Sequence, residues 1–345
     1  MGGKKALVTG ACGFIGSSLC EHLIEEGYEV RGTDLEDADK EYIADLDMEF
    51  VPADLTKKDT LGPAINGVDV IFHTAAIFDY SSLIDWEVYE AVNIKGTENL
   101  MEAARDEDLD SIINWSTSGV YGAPQRDKLP VTEDHPKNPE SNYDRSKWLQ
   151  EKKAREYYED YGMPVKSIRP VTVYGPGNTY GAAHFLIPMA NGQVKFYPLF
   201  CNYRLPIVHV EDVIQSAIYL DEHGQDGESY NIVDNQNYTM KRVFRYISNM
   251  TGNNMYGVPM GNRTFESIST LGMFVPAIEM AYDLIGKKSP IEKDALFYFK
   301  SNYWVSNEKI RDAGYEFEYP NYRKGLTETI EWYQDEGMVE SKAKP

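Results

Sequence analysis

Thr9-Gly10-Ala11-Cys12-Gly13-Phe14-Ile15-Gly16 is the stretch that decides how this chain folds. It follows the short apolar run Ala6-Leu7-Val8 and leads into residues Ser17 to Ile24, whose apolar side chains recur at helical spacing. The stretch is therefore a turn from a first strand into a first helix. Its glycines fall in the pattern G-x-x-G-x-x-G, and they serve three separate ends. One permits a tight turn, one lets backbone approach a pyrophosphate closely, and one lets the helix pack close on the strand. Free N–H groups at the helix start then meet the anion, so the turn is a phosphate site.

A second β-like run, Glu29-Val30-Arg31-Gly32-Thr33, ends at Asp34. That places an acidic side chain near the roughly 20-residue distance at which it accepts the ribose hydroxyls of a dinucleotide. A carboxylate there repels a 2′-phosphate, which favours NAD over NADP. Glu49 to Leu55 reads as a third strand delivering Asp54, a candidate acceptor for the adenine amino group. Val68 to His73 reads as a fourth, buried strand, and the small residues Thr74-Ala75-Ala76 after it let backbone pass close to the cofactor. His73 itself is read as a hydrogen-bonded strand-end residue. Ser111 to Trp115 and Val165 to Arg169 supply two more strands, with helical spacing over Asp85 to Arg105 and from about Asn142 to Tyr161. Gly96 inside the first of these helices needs a packing reason, expected to be contact with the sheet.

Strands alternating with helices in this way predict an α/β fold: a Rossmann-type, doubly wound parallel sheet with a small C-terminal substrate lobe. The expected division is residues 1–176 plus 206–229 for NAD binding, 177–205 plus 230–320 for the lobe, and 321–345 for a C-terminal helix and tail. Ile207 to Leu220 is expected to return to the main sheet.

At 345 residues the chain is long enough for such a domain and a lobe, and 34 basic against 55 acidic residues give a net charge of -21. That charge opposes nucleic acid and anionic membrane surfaces by simple repulsion. Cys12, Cys20 and Cys201 are scattered without metal-ligand spacing, so no metal site or disulfide framework is expected and a reducing cytoplasm fits. The amino terminus runs straight into the first strand, without room for a signal peptide. The apolar segment Phe265 to Ile285 contains Glu266, Glu279 and Asp283 and is broken by Gly272 and Pro276. It is poor material for a membrane span and is expected to cover a pocket, with membrane contact at most peripheral.

The chemistry gathers at the strand ends, where an open parallel sheet holds its ligand. Ser116-Thr117-Ser118 follows the fifth strand, and Tyr143 and Lys147, four apart on the next helix, share a face. A phenol with an ordinary pKa of about 10 is a poor base at neutrality, but a neighbouring ammonium favours the phenolate. Tyr143 would then take a proton from an alcohol as its hydride leaves for the nicotinamide. Thr117 would hold the reacting oxygen, with Ser116 and Ser118 as rivals, Lys147 would reach the nicotinamide ribose, and Asn93 would support a proton relay through water.

Taken in order, Thr9-Gly10-x-x-Gly13-x-x-Gly16, Asp54-Leu55, His73-Thr74-Ala75-Ala76, Asn93-x-x-Gly96-Thr97, Ser116-Thr117-Ser118, Tyr143-x-x-x-Lys147 and Arg169-Pro170 resemble the extended short-chain dehydrogenase/reductase superfamily over nearly the whole chain. The resemblance implies Thr117, Tyr143 and Lys147 as the catalytic triad. It also implies Phe14, Ile15, Leu35, Leu55, Pro170 and Val173 as cofactor contacts beside Gly10, Gly13, Gly16, Asp34, Asp54, Thr74, Ala75, Ala76 and Asn93. A homodimer through the helices near 85–105 and 142–161 is expected by the same analogy.

His73 to Asp79, Glu308-Lys309-Ile310 to Gly314-Tyr315, and Thr329-Ile330-Glu331-Trp332 resemble the 3β-hydroxysteroid dehydrogenase branch. That implies oxidation of a secondary alcohol on a bulky apolar small-molecule substrate, with Phe185, Phe196, Tyr197, Phe200, Phe274 and Tyr282 as possible lining. The rival is a nucleotide-sugar 4-epimerase. Sugar-nucleotide members commonly carry asparagine where this chain has Thr172, although Arg204 and Asn202 offer another way to hold a diphosphate. Ser118-Gly119 in place of an acidic pair argues against a dehydratase. A non-catalytic NAD-binding sensor is the remaining alternative, and an intact Thr117/Tyr143/Lys147 set argues against it.

Overall fold

The computed structural model describes residues 3–78, 84–262 and 302–340. The apolar runs become strands β1 (Lys5–Thr9), β2 (Glu29–Thr33), β3 (Glu49–Phe50), β4 (Val70–His73), β5 (Ser111–Trp115) and β6 (Val165–Pro170). With β10 (Ser229–Ile232) they form one seven-stranded sheet in the order β10-β6-β5-β4-β1-β2-β3. Every pairing in it is parallel. The chain starts at β1, winds outward to β3, then returns past β1 to β4 and onward, so the order reverses between β1 and β4. At that reversal the connections diverge and open a crevice above the strand ends.

Helices cover both faces. On one side α1 (Phe14–Glu25) packs against α7 (Val210–His223); on the other lie α2 (Gly62–Ile65), α3 (Trp86–Tyr89), α4 (Gly96–Ala104) and α5 (Asn142–Tyr161). Both faces of the sheet are consequently apolar. Val8, Phe72, Ile113 and Ile168 join the core under α1 and α7, while Leu7, Ile71, Ile112 and Val165 join that under α4 and α5. A third core belongs to the remaining elements, α6 (Ala183–Ala190), α8 (Met240–Thr251) and, beyond the short α9 (Glu308–Asp312), α10 (Tyr322–Asp335). A strand pair, β8 (Phe196–Phe200) with β11 (Tyr256–Gly261), lies beside it.

Several expectations need correction. The regular third strand stops at Phe50, and residues beyond it continue only as a loop tied to β2 by the Val51 and Ala53 N–H groups, at 3.0 and 2.9 Å from Gly32 O and Asp34 O. Ile207 to Leu220 does not enter the main sheet: β9 (Ile207–His209) pairs with β7 (Thr172–Tyr174), and α7 then packs on the sheet's face. The main sheet instead gains β10, so the expected boundary at 229/230 cuts a strand. The helix over 85–105 is interrupted by a π-helical segment, Glu90–Lys95, between α3 and α4. Gly96 closes that segment, and a Cβ there would stand 2.9 Å from Leu55 Cβ; this contact is the packing reason for the glycine.

Phe265 to Ile285, with Phe274 and Tyr282, and Asp79 lie outside the described residues. The two flanks of residues 263–301 meet the same short segment: the Asn202 N–H donates to Asn262 Oδ1 at 3.1 Å, and the Arg204 N–H donates to Asn302 Oδ1 at 2.9 Å. Among the described residues no helix is long and apolar enough to cross a membrane, and no cluster of His, Cys, Asp and Glu is arranged to hold a metal ion.

Candidate active site

The glycine turn is built as its spacing demands. Gly10 has φ +72°, and a Cβ on it would lie 2.8 Å from Ala75 Cα; a Cβ on Gly16 would lie 2.0 Å from Gly10 O. No larger residue fits either place. The Gly10 and Ala11 N–H groups donate to Thr33 O at 2.8 and 3.2 Å, which ties the turn to β2. Gly13 begins α1 without any side-chain cap, leaving the first helical N–H groups to an anion.

A cavity of about 670 Å³ lies across the carboxyl ends of the strands. Gly10, Gly13, Phe14, Ile15 and Gly16 of the turn line it, as do Asp34, Leu35, Asp54, Leu55 and Thr74 to Ala76. Asp34 accepts hydrogen bonds from the Cys12 and Leu35 N–H groups at 3.1 and 2.8 Å, so the second strand's carboxylate is fixed against the turn. Asp54 pairs with Lys57 at 2.8 Å and accepts from Thr56; the Lys57 ammonium holds its carboxyl below the usual range.

Further along the crevice the wall contains Ser116, Thr117, Tyr143, Lys147, Pro170 and Val173. Thr117 precedes a short turn of helix, and its Oγ1 accepts from the Gly119 N–H at 3.2 Å, which leaves the hydroxyl proton for a substrate oxygen. Ser141 starts α5 by accepting from the Asp144 N–H at 2.9 Å, which places Tyr143 in its first turn and Lys147 one turn later. The Tyr143 ring stands edge-on to Phe78, 4.9 Å away. Lys147 is 2% exposed, its Nζ donates to Gln150 Oε1 at 2.7 Å, and burial pushes it down to about 7 against an opposing pull from Glu151.

Two supporting residues fall elsewhere. Ser118 is fully buried and off the cavity wall. Asn93 is also off the wall: the π segment turns its side chain into the interior, where Oδ1 accepts from the Ile77 N–H at 2.8 Å and Nδ2 donates to Ile77 O and Ser146 Oγ at 3.2 and 2.8 Å. Both amide protons are engaged, so Asn93 clamps the loop after β4 to α5, in place of the expected relay. His73 is structural, as read. Thr97 donates to Asn93 O at 2.7 Å and so accepts from His73 Nε2, while Nδ1 accepts from Thr9; burial pushes this histidine down to about 3 and keeps it neutral. Arg169, from the Arg-Pro pair, forms a buried ion pair with Glu151 and donates to the Tyr121 hydroxyl at 2.7 Å, behind the strand ends.

Of the proposed apolar lining, Phe185 is on the wall, whereas Phe196 and Phe200 are 59% and 60% exposed on β8, and Tyr197 borders the third core. Ile77 and Phe78, read only as part of the His73 to Asp79 resemblance, and Tyr180 and Leu205, not singled out in the sequence, complete that end of the cavity. Ile77 and Phe78 come from the loop after β4, and Tyr180 and Leu205 from two others, without a local pattern to mark them as lining. Gln150 had a signal, since it is seven residues beyond Tyr143 on the same helix.

A glycine turn under an uncapped helix, a fixed acidic side chain after β2, and a tyrosine and buried lysine across the crevice define a dinucleotide-dependent oxidoreductase of Rossmann type. Residues 6–233 match the model of the NAD dependent epimerase/dehydratase family, and the chain belongs to that family. The space that Gly10 and Gly16 leave, the free N–H groups of α1 and the Asp34 carboxylate fit NAD, which is its cofactor.

The UDP-glucose 4-epimerase of Mycolicibacterium smegmatis is 37% identical over 249 residues, 66% of this chain and 76% of that protein. The 3-beta-hydroxysteroid dehydrogenase of Mycolicibacterium neoaurum is 26% identical over 363 residues, 99% of this chain and 95% of that one. Among solved structures, the UDP-glucose 4-epimerase of Thermus thermophilus in complex with NAD shares the fold at TM-score 0.71 and 22% identity, over 96% of this chain and 99% of that one.

Proposed function

We propose that the chain interconverts a secondary alcohol and a ketone on a bulky apolar small molecule, of 3β-hydroxysteroid, sterol or isoprenoid type. One observation carries this reading: among the described residues of the cavity wall, Lys147 is the one Lys or Arg. Arginine or lysine is a common partner of a nucleotide sugar's diphosphate, and the far end of this cavity offers Ile77, Phe78, Tyr180, Phe185 and Leu205 beside Asn178 and His184. Arg204 lies 4.3 Å from the Trp304 ring, and neither it nor Asn202 is on the wall.

NAD, when bound, supplies the hydride acceptor. Thr117 holds the hydroxyl oxygen, Tyr143 accepts its proton, and the Lys147 ammonium favours the phenolate that does so. The second reading, a nucleotide-sugar 4-epimerase, is favoured by the identity to the UDP-glucose 4-epimerase of Mycolicibacterium smegmatis.

The test is NADH formation from free NAD with a panel of 3-hydroxysteroids, isoprenoid alcohols and nucleotide sugars, with Tyr143→Phe as control. The expected outcome is NADH accumulation with an apolar alcohol, reduced about a hundredfold or more in the variant. Interconversion of nucleotide sugars without net NADH would establish the epimerase instead.

A further inference from the structure

Among the described residues, burial leaves Lys147 one hydrogen-bond acceptor, and that acceptor is neutral. Its Nζ donates to Gln150 Oε1 at 2.7 Å, both side chains are shut off from solvent, and among the described residues no carboxylate forms an ion pair with it. A protonated lysine only donates, so Gln150 must turn its oxygen to Nζ. That directs its amide N–H groups to Asn114 Oδ1 at 2.8 Å and Trp115 O at 3.3 Å, and Asn114 in turn donates to Ser167 Oγ at 3.1 Å. Each link fixes the polarity of the next. The run has one orientation, anchored on β5 and β6.

We propose that Gln150 is a positioning residue of this active site: it aims Lys147 and withholds a carboxylate from it, so that the ammonium charge acts on Tyr143 and on bound cofactor. The surroundings make that charge decisive. On α5, Tyr143 and Glu151 flank Lys147, and the Glu151 carboxylate is taken up by Arg169 of β6 and by the Ser229 hydroxyl. From β4 comes His73, held neutral between Thr9 and Thr97. From β5 come Asn114 and Trp115, and from the turn after it Ser116 and Thr117, none of which titrates. A glutamate at position 150 has nearly the shape of glutamine, yet it would pair with Nζ and cancel its field at the phenol. The inference rests on the acid–base role given to Tyr143 and not on the identity of the alcohol.

The test compares wild type with Gln150→Glu and Gln150→Met. The Lys147 Nζ resonance is titrated in 15N-lysine-labelled protein without ligand, and assigned by comparison with Lys147→Met. NADH fluorescence titration reports whether each variant is folded. The wild-type midpoint is expected near 7. Gln150→Glu should raise it by about one unit or more, and Gln150→Met should lower it, because an acceptor favours the charged form.

With an alcohol that is turned over, the acid limb of kcat/KM for oxidation should move to higher pH in Gln150→Glu while KM changes less than about threefold. Midpoints that stay at the wild-type value in both variants, or a rate loss equal at every pH, would overturn the proposal. Should Gln150→Glu fail to bind NADH, the Gln150→Met midpoint decides alone. Should no alcohol react, the ligand-free titration still decides, separately from the reading of the substrate.

Discussion

Lys147 illustrates how one residue's requirements oppose each other. Its position four residues beyond Tyr143 was legible from the sequence; its burial, and the acceptor that burial selects, were not. Desolvation lowers its pKa to about 7 in the folded protein, while the unfolded chain keeps the ordinary value of about 10.4. Between those values the unfolded state binds the extra proton, so this residue's contribution makes native stability rise with pH from about 7 to about 10 and leaves a constant penalty below. Urea unfolding across that range should show the wild type gaining stability relative to Lys147→Met, which lacks the titration. Parallel curves would contradict the assignment. The glycines were legible for the opposite reason: the constraint at Gly10 and Gly16 is set by backbone within the same turn, and spacing alone records it.

At the scale of elements, the π segment Glu90–Lys95 is where local reading falls short. Residues with helical spacing were correctly placed on one rod from 85 to 105, but spacing does not reveal an inserted residue in the middle of it. The insertion swings Asn93 inward, and its amide holds the loop that carries Ile77 and Phe78 over Tyr143. Asn93→Ala removes a buried clamp and strands the Ile77 N–H. Chemical denaturation should show a loss of about 1–3 kcal/mol. Because the amide does not face the cavity, NADH affinity should change little.

The strands divide in the same way. β1 and β4 carry apolar runs that read directly, whereas Ser229–Ile232 mixes serine, tyrosine and asparagine and was passed over as lobe. Ile207 to Leu220 was expected to return to the main sheet, but its first three residues pair with β7 instead, since composition says that a segment is buried but not beside what.

For the whole molecule, the excess of acidic residues sets how the solution acts on the fold. A net charge of -21 on one chain repels itself, and salt screens that repulsion beyond the Debye length, about 10 Å at 0.1 M. Raising sodium chloride from about 0.02 M to about 0.5 M should therefore raise the thermal midpoint by a few degrees, and an unchanged or lower midpoint would show that the paired surface carboxylates outweigh the excess. The Asn202 and Arg204 N–H groups donate to Asn262 and Asn302, so one short stretch stitches together two points of the chain far apart in sequence, and a proline at 202 or 204, lacking its N–H, would cut one stitch.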